Sequence, residues 1–332
     1  MLTHQDIQAP LREALARRAP LLEALAAEGT DCLRLLHGAT EGVPKLAIDR
    51  YGPILLVQTW REPLAPEAIE RLGEQVREAL GVDLVPCWNH RPADDWERHH
   101  APALPADPEG RELGLRYDVR PRHRGHDPLL FLDFRATRRW VKAHAAGRSV
   151  LNLFAYTCGV GVAAAAGGAR EVRNVDFAAS ALEVGRANAA RNGVSMETLR
   201  EDVIPVLRQL AGLPVKGRGA RRKRFTKIDP RPFDLVVLDP PRWAKSAFGA
   251  VDVVRDYPSL FKPAVLATAP GGQVLATNHV PHVALEDWLD VLRRCAMKAG
   301  RPLGEVEVLP PEADFPSPDG RPPLKVALCE VP

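Results

Sequence analysis

The chain of 332 residues is 45% hydrophobic and 26% charged, which is typical of a globular protein long enough to form two domains. It contains no run of about 18 apolar residues, and its N-terminal segment is charged and has no apolar core. We therefore predict neither a membrane span nor a secretory leader and expect a cytoplasmic protein. The formal net charge of +3 excludes a uniformly basic nucleic-acid-binding protein and restricts such binding to local basic segments.

The cysteines give no sign of a disulfide framework or a metal site. There are five, an odd number, and none belongs to a C-x-x-C pair. Disulfide and zinc frameworks use paired cysteines at short spacings. We therefore expect no metal ion, and we expect buried thiols at most of the five positions, which are Cys32, Cys87, Cys158, Cys295 and Cys329.

The first part of the chain predicts a small α+β domain. Residues Gln5–Glu28 have apolar residues at helical spacing and predict one or two amphipathic helices. Three short β-rich segments follow, "CLRLLHG", "PKLAIDR" and "PILLVQTW", and the turn sequences between them are typical of antiparallel neighbours. A helix over Pro66–Leu80 and a strand over Val82–Trp88 complete the domain.

A boundary is predicted after this domain. Residues His90–Glu112 are rich in proline, aspartate and histidine and read as a linker or surface loop. We therefore divide the chain into a domain of residues 1–112 and a domain of residues 113–332.

From Arg148 onward, strand and helix patterns alternate. Seven segments predict strands: "SVLNLF", "EVRNVD", "METLRED", "FDLVVLD", "GGQVLAT", "GEVEVLP" and "PLKVALCEV". The consecutive apolar residues of "LVVL" indicate a parallel strand covered on both faces. The alternation predicts an α/β, doubly wound parallel sheet that binds its ligand at the carboxyl ends of its strands.

The segment "LNLFAYTCGVG", Leu151–Gly161, predicts a ligand-binding turn after the first of these strands. Residues Gly159–Ala164 match the pattern G-x-G-x-x-A, so a nicotinamide-dependent oxidoreductase is one alternative. However, four residues, Ala155–Cys158, separate the strand from its first glycine, whereas a dinucleotide-binding fold turns directly into that glycine. The longer turn favours a bulkier and less anionic ligand.

Two carboxylates follow the next two strands. Asp176 ends "NVD", where a carboxylate meets a ribose diol, and Asp202 follows "RE", where it can accept a hydrogen bond from an adenine amino group. Aspartate also commonly caps helices, so a purely structural role for each of the two residues stays an alternative. Their order on successive strand ends indicates an adenosine-containing ligand.

The fourth strand reads "FDLVVLDPPRW" and places Asp239 at its carboxyl end, followed by Pro240 and Pro241. One proline suffices to end a strand, whereas two in succession fix φ twice and cannot donate to a sheet ladder. The result is a rigid group of acceptors suited to orienting an amine or ring nitrogen toward an electrophile. Trp243 either stacks on a base or packs beneath its own loop.

The order of "LNLFAYTCGVG", "VDF", "RED" and "FDLVVLDPPRW" resembles that of the class I S-adenosylmethionine-dependent methyltransferases. The segments "LLFLDFRATRRWV" and "LHGATEGVPKLAIDRYG" narrow the resemblance to the group that modifies large-subunit ribosomal RNA at cytosine C5 or a guanine nitrogen. The resemblance implies a Rossmann-like seven-stranded sheet, mostly parallel with the last strand reversed, preceded by a smaller α+β domain.

The same resemblance implies that S-adenosyl-L-methionine is the cofactor and that RNA, ribosomal RNA in particular, is the partner. It implies that Arg135 binds the cofactor's carboxylate. The full set of implied cofactor contacts is Arg135, Phe154, Thr157, Gly159, Asp176, Phe177, Asp202 and Asp239.

Three features depart from the group. Asn152 stands where the first strand of the class normally carries an acid. We expect a helical segment to take the place of the RNA-binding module that precedes the cytosine enzymes. A basic insertion, Lys216–Lys227, lengthens the loop before the fourth strand, and we expect it to contribute to RNA binding.

The sequence favours a guanine nitrogen as the methyl acceptor. Methylation of cytosine C5 needs a cysteine thiolate, which in the resembling enzymes follows the fifth strand. Here that place reads "GGQVLATNHV" and carries Asn278 and His279, which is nearer to the "SNN" of the guanine branch. Cys158, in the glycine turn, is expected to be a packing residue.

We therefore predict direct in-line methyl transfer to a guanine nitrogen of large-subunit ribosomal RNA. Asp239 would hold or deprotonate the acceptor, the Pro240 carbonyl would align it, and Asn278 would hold a base edge. The alternatives are a cytosine-C5 methyltransferase of ribosomal RNA and a methyltransferase of a protein side chain or small amine. A non-catalytic RNA-binding relative is a further alternative, because of Asn152.

Overall fold

The computed structural model describes residues 1–92, 104–121, 123, 127–216, 221, 225–317 and 319–332. Contacts between residues divide the chain into two units. Unit 1 contains Met1–Arg135 and Glu312–Pro318, and unit 2 contains Ala136–Pro311 and Asp319–Pro332. In the described residues no helix is both long enough and apolar enough to cross a membrane.

This division differs from the predicted boundary at residue 112 because a hairpin extends unit 1. Its strands β5 (Glu109–Glu112) and β6 (Leu115–Asp118) are antiparallel. The hairpin is attached to the segment just before Cys32 in the same unit: the Asp31 amide donates to the Arg111 carbonyl at 2.9 Å, and the Leu113 amide donates to Thr30 Oγ1 at 2.8 Å. Residues 93–103 of the predicted linker lie outside the described residues.

Unit 1 has a four-stranded sheet covered by two helices. Its elements are α1 (His4–Ala27), β1 (Cys32–Leu36), β2 (Leu46–Tyr51), β3 (Ile54–Thr59), α2 (Pro66–Leu80) and β4 (Val85–His90). The strand order is β1-β2-β3-β4; β1, β2 and β3 are antiparallel neighbours, as their turn sequences predict, and β4 pairs parallel with β3. The core lies between sheet and helices because α1 and α2 bury their apolar faces there, as Ile7, Leu11 and Leu72 illustrate.

Unit 2 has the predicted seven-stranded sheet. Its strands are β7 (Ser149–Leu153), β8 (Glu171–Asp176), β9 (Glu197–Arg200), β10 (Phe233–Leu238), β13 (Thr268–Asn278), β14 (Val306–Leu309) and β15 (Lys325–Val331), in the spatial order β14-β15-β13-β10-β7-β8-β9. All neighbouring pairs are parallel except those of β15, which is antiparallel to both β13 and β14. The predicted reversal of the last strand is confirmed.

Helices cover both faces of this sheet. They are α3 (Arg135–His144), α4 (Gly159–Ala166), α5 (Ala179–Arg191), α6 (Val203–Leu210), α7 (Pro258–Leu266) and α8 (Leu285–Lys298); α3 starts at the last residue of the first stretch of unit 1. A short hairpin, β11 (Trp243–Ser246) and β12 (Gly249–Asp252), follows β10. Leu235–Leu238 are fully buried, which explains why β10 is apolar at consecutive positions.

The parallel strands end together at what we call the carboxyl edge of the sheet, the ends of β7, β8, β9, β10 and β13. The register of β10 pairs Leu238 with Leu153 of β7 and with Ala276 of β13. Residues that follow these strands therefore lie along one line. Because β15 is antiparallel, it begins at the same edge, where Lys325 pairs with Asn278.

Candidate active site at the carboxyl edge

The turn after β7 has a strained backbone. Phe154, Tyr156 and Cys158 have φ angles of 58°, 48° and 59°, so three non-glycine residues out of five are left-handed. Such residues are uncommon, cost of the order of 1–3 kcal/mol each, and cluster at ligand-binding sites. Alternation of this kind turns backbone N–H groups toward one concave side, which binds acceptor groups.

Asp176, at the end of β8, is one acceptor bound by this turn. Its Oδ2 accepts the Tyr156 amide at 2.9 Å and its Oδ1 accepts the Ala178 amide at 2.8 Å. The residue is 7% exposed, and burial raises the pKa of its carboxyl group although the backbone N–H groups act in the opposite direction. Each carboxylate oxygen has a second lone pair, so Asp176 can still accept hydrogen bonds from ribose hydroxyls.

A neutral amide pair lies beneath the turn. Asn152 Nδ2 donates to Asn174 Oδ1 at 2.9 Å, and these residues are buried partners in adjacent strands. A Cβ atom on Gly161 would lie 2.1 Å from Asn174 Oδ1, so only glycine lets α4 approach β8 here. Asn152 therefore has a structural hydrogen-bonding role, and Asn174 is a supporting residue that no sequence motif identified.

The residues after β8 and β9 present an aromatic ring and a second carboxylate. Phe177 directly follows Asp176 and is 64% exposed, although large aromatic side chains are normally buried. Asp202 is the N-cap of α6, because its Oδ1 accepts the Ile204 amide at 2.8 Å. The predicted helix-cap role is present, and the second carboxylate oxygen makes no hydrogen bond with described residues.

The other predicted cofactor residues lie in the same turn. Gly159 is the first residue of α4. Thr157 is 3% exposed, and its carbonyl accepts Asn188 Nδ2 at 3.4 Å. The structure thus brings Phe154, Thr157, Gly159, Asp176 and Phe177 together around the ends of β7 and β8.

Asp239 follows the last residue of β10 and is held from the neighbouring strand. Thr277 Oγ1 of β13 donates to Asp239 Oδ1 at 2.5 Å. Tyr257 is fully buried, and its hydroxyl donates to the Thr277 carbonyl at 2.8 Å, which fixes this part of β13. No motif identified Thr277, but any side chain at the end of β13 next to Asp239 was a candidate once the strands were predicted to be parallel neighbours.

The hairpin after Pro241 exposes Trp243. In this hairpin Ala244 pairs with Val251, and both pack on the main core of unit 2. Because side chains alternate along a strand, Trp243 lies on the opposite face and is 63% exposed. This exposure excludes packing beneath its own loop. An added Cβ on Gly249, at the tip, would lie 3.7 Å from Ile204, so the hairpin extends toward the start of α6.

Asn278 ends β13 and is 1% exposed. Its Oδ1 accepts the Val280 amide at 2.9 Å, whereas its Nδ2 finds no partner among the residues that the structure describes. Buried polar atoms are rarely left without a hydrogen bond, so this amide is an unusual feature at the edge where Asp239 lies.

The cysteines are packing residues. All five are buried, and Cys158 lies so close to Gly185 that an added Cβ there would be 2.5 Å from its Sγ. Burial raises the pKa of Cys158 to about 12 and that of Cys329 to about 12, so neither forms a thiolate at neutral pH. No group of three potential metal ligands occurs in the described part of the chain.

Arg135 belongs to unit 1, where it is fully buried and forms an ion pair with Asp314, which is also fully buried. Its Nη1 donates to the Cys32 carbonyl at 2.9 Å, and Asp314 Oδ2 accepts the Arg34 amide at 2.9 Å. These contacts favour a structural role. The assignment of Arg135 to the cofactor carboxylate stays a prediction.

The donors and acceptors at the carboxyl edge fit an adenosyl cofactor. Asp176 and Asp202 are acceptors suited to ribose hydroxyls and an amino group, and exposed Phe177 offers a face for a purine ring. Four residues separate β7 from Gly159, a longer turn than the direct turn that binds a pyrophosphate in dinucleotide-binding folds. The protein has a mostly parallel seven-stranded sheet with one reversed strand, and its candidate site lies at the carboxyl edge. This combination defines the class I methyltransferase fold.

Comparison with known proteins gives the family. A family model described as S-adenosylmethionine-dependent methyltransferase matches residues 33–329, and the chain belongs to this family. It is a methyltransferase that uses S-adenosyl-L-methionine as its cofactor.

Similar proteins carry compatible names. A "Ribosomal RNA large subunit methyltransferase" of Deinococcus radiodurans is 32% identical over 305 residues, covering 88% of this chain and 71% of that protein. A "Ribosomal RNA large subunit methyltransferase I" of Aeromonas salmonicida is 28% identical over 322 residues, covering 92% and 74%. A crystal structure described as a methyltransferase complexed with SAH matches the fold with a TM-score of 0.78 and 20% identity, covering 100% of this chain and 82% of that one.

Proposed function

We propose that this enzyme methylates a guanine nitrogen of large-subunit ribosomal RNA by direct in-line transfer. The observation that carries the proposal is Asp239, fixed by Thr277 at the end of β10 and followed by two prolines. The names of the two relatives support ribosomal RNA as the substrate class. Cytoplasmic location is part of the same proposal.

In this proposal each residue at the carboxyl edge contacts a particular part of the cofactor. Asp176 accepts hydrogen bonds from the ribose hydroxyls, Phe177 stacks on the adenine, and Asp202 accepts from the adenine amino group. Phe154, Thr157 and Gly159 belong to the turn that is proposed to surround the rest of the cofactor. When bound, S-adenosylmethionine supplies an electrophilic methyl group on a sulfonium.

The acceptor side consists of Asp239, Pro240 and Asn278. Asp239, held by Thr277 through Oδ1, is the residue proposed to accept the N–H of the target nitrogen. The Pro240 carbonyl aligns the same nitrogen with its lone pair toward the methyl group, and Asn278 bonds to the base edge. Orientation of two reactants can contribute roughly 7 to 11 kcal/mol, so this enzyme needs little further acid–base assistance.

A nitrogen acceptor is favoured because the described thiols are buried. Cytosine-C5 methylation requires a thiolate that adds to the ring, and no cysteine lies in the residues directly after β13, which begin with His279 and Val280. His279, which directly follows β13 and could act as a base, is partly buried. The cytosine alternative and the protein or small-amine alternative use the same fold but different acceptors.

We expect Cys158→Ala to keep transfer activity within about twofold of wild type, because the thiol packs against Gly185 and is protonated at neutral pH. The measurement is single-turnover methyl transfer to large-subunit ribosomal RNA, with S-adenosylhomocysteine affinity as the control for folding. A large loss of transfer at unchanged affinity would instead favour the cytosine mechanism.

We expect Trp243→Ala to weaken RNA binding by about 5- to 150-fold, because stacking of one base on an aromatic ring contributes about 1–3 kcal/mol. The measurement is equilibrium binding of transcribed large-subunit ribosomal RNA at fixed salt. Met297→Ala is the matched control, because Met297 is 66% exposed on α8. Equal affinities of the Trp243 variant and wild type would remove Trp243 from the proposed RNA surface.

The basic segment Lys216–Lys227 is part of the proposal on sequence grounds alone. Residues 217–220 and 222–224 lie outside the described residues. Its proposed role is phosphate binding, which would make RNA affinity depend on salt.

The experiment that tests the proposed function is mass-spectrometric mapping of ribosomal RNA from a strain lacking this gene against wild type. We expect one guanosine of large-subunit RNA to lose a methyl group. Loss from a cytosine would select the C5 alternative, and no change in any base would favour a protein or small-amine substrate.

A further inference from the structure

The orientation of the Asn278 side chain is fixed by its neighbour. Val280 N–H is a donor, so the atom that accepts it at 2.9 Å must be the amide oxygen, and the other atom must be the NH₂ group. Asn278 therefore offers a donor and has its acceptor already engaged. The NH₂ group makes no hydrogen bond with the described residues although it is buried.

Lys325 holds the same turn from the next strand. It is the register partner of Asn278, is 5% exposed, and donates from Nζ to the Val280 carbonyl at 3.0 Å and to the Pro323 carbonyl at 3.2 Å. Burial lowers the pKa of its ammonium group. No carboxylate pairs with it among the described residues. A buried lysine bonded only to carbonyls stabilises backbone geometry, here that of the segment whose amide fixes Asn278.

A neutral NH₂ donor at the end of β13 distinguishes bases by what they present to it. Asparagine commonly reads adenine with both amide groups, but here the oxygen is bonded to Val280. The remaining NH₂ group needs an acceptor on the base. At the C6 substituent guanine has the O6 acceptor, whereas adenine has an amino group there, so a donor aimed at that substituent bonds to guanine and meets a second donor in adenine.

We infer that Asn278 Nδ2 donates to the O6 carbonyl of the target guanine, and that Lys325 is a positioning residue that holds Asn278 in this orientation through Val280. The inference rests on the proposed function. The Nδ2 atom is buried in this structure, so the atoms that cover it must move when the base binds. In this orientation guanine O6 satisfies the NH₂ group and a purine without O6 leaves it without an acceptor at that position, which is how the site prefers guanine.

The test uses an oligoribonucleotide spanning the mapped nucleotide, with either guanosine or 2-aminopurine ribonucleoside at the target; the second lacks O6. We expect wild type to prefer guanosine by at least about tenfold in kcat/KM. Asn278→Ala should reduce that preference to about twofold or less, and Lys325→Met should reduce it in the same direction. Lys298→Met, an exposed lysine on α8, is the matched control and should keep the wild-type preference.

Folding is checked by S-adenosylhomocysteine affinity, which should be unchanged in each variant because Asn278 and Lys325 lie outside the proposed cofactor residues. If Asn278→Ala does not fold, Asn278→Asp keeps an acceptor for Val280 and removes the NH₂ donor. A wild-type preference retained by the Asn278 variant overturns the inference, and one retained by Lys325→Met overturns the positioning role. A mapped nucleotide other than guanosine overturns the proposed function itself, before these variants are made.

Discussion

Replacing Asp239 with alanine is expected to lower the rate of methyl transfer by about 10²- to 10⁴-fold while S-adenosylhomocysteine affinity changes by less than about threefold. The reason is that Asp239, fixed by Thr277, contacts the acceptor nitrogen in the proposed geometry, whereas the ribose and adenine are held by residues after β8 and β9. The measurements are single-turnover transfer with saturating cofactor and isothermal titration with S-adenosylhomocysteine.

The control for this variant is Asp256→Ala, which removes an exposed carboxylate between the hairpin and α7. It should behave as wild type in both measurements. If Asp239→Ala loses cofactor affinity to the same extent as transfer, Asp239 belongs to the cofactor site and the acceptor role is wrong.

Replacing Asp176 with alanine is expected to give the complementary result, a loss of S-adenosylhomocysteine affinity of about 10- to 100-fold. Two effects combine, because the carboxylate is the proposed partner of the ribose hydroxyls and also accepts the amides of Tyr156 and Ala178. Those two partly buried N–H groups lose their acceptor at about 1 kcal/mol each, so the melting temperature should fall by about 4–8 °C.

Asp202→Ala is the comparison for Asp176. It removes one helix cap, worth about 1 kcal/mol, and one proposed contact with the adenine amino group. We therefore expect smaller losses of both stability and affinity. If Asp176→Ala lowered the melting temperature but left the affinity at the wild-type value, Asp176 would support the turn without contacting the cofactor.

The strand ends could be predicted from the sequence because parallel strands have a simple signature. The consecutive apolar residues before Asp239 are typical of a strand buried on both faces. Parallel strands end at one edge, so the side chains that follow them lie together without any knowledge of helix packing. The reversed direction of the last strand was not predicted by this reasoning. It was implied only by the family resemblance.

The supporting contacts could not be predicted because they depend on register and packing. Nothing in the sequence pairs Thr277 with Asp239, and the Asn152–Asn174 pair follows only once β7 and β8 are aligned. Arg135 and Asp314 are 179 residues apart in sequence, and the second lies in a proline-rich segment with no strand or helix pattern. Likewise, only the structure shows that Asn278 Oδ1 is bonded to Val280 and that Nδ2 has no partner in the described part of the chain.

The most direct test of the proposed site is a crystal structure of this protein with S-adenosylhomocysteine. The account predicts the adenine beside Phe177 and Asp202, the ribose hydroxyls on the Asp176 carboxylate, and the sulfur next to Asp239. A ligand bound elsewhere on the sheet, or at the carboxyl edge with its ribose away from Asp176, would contradict it.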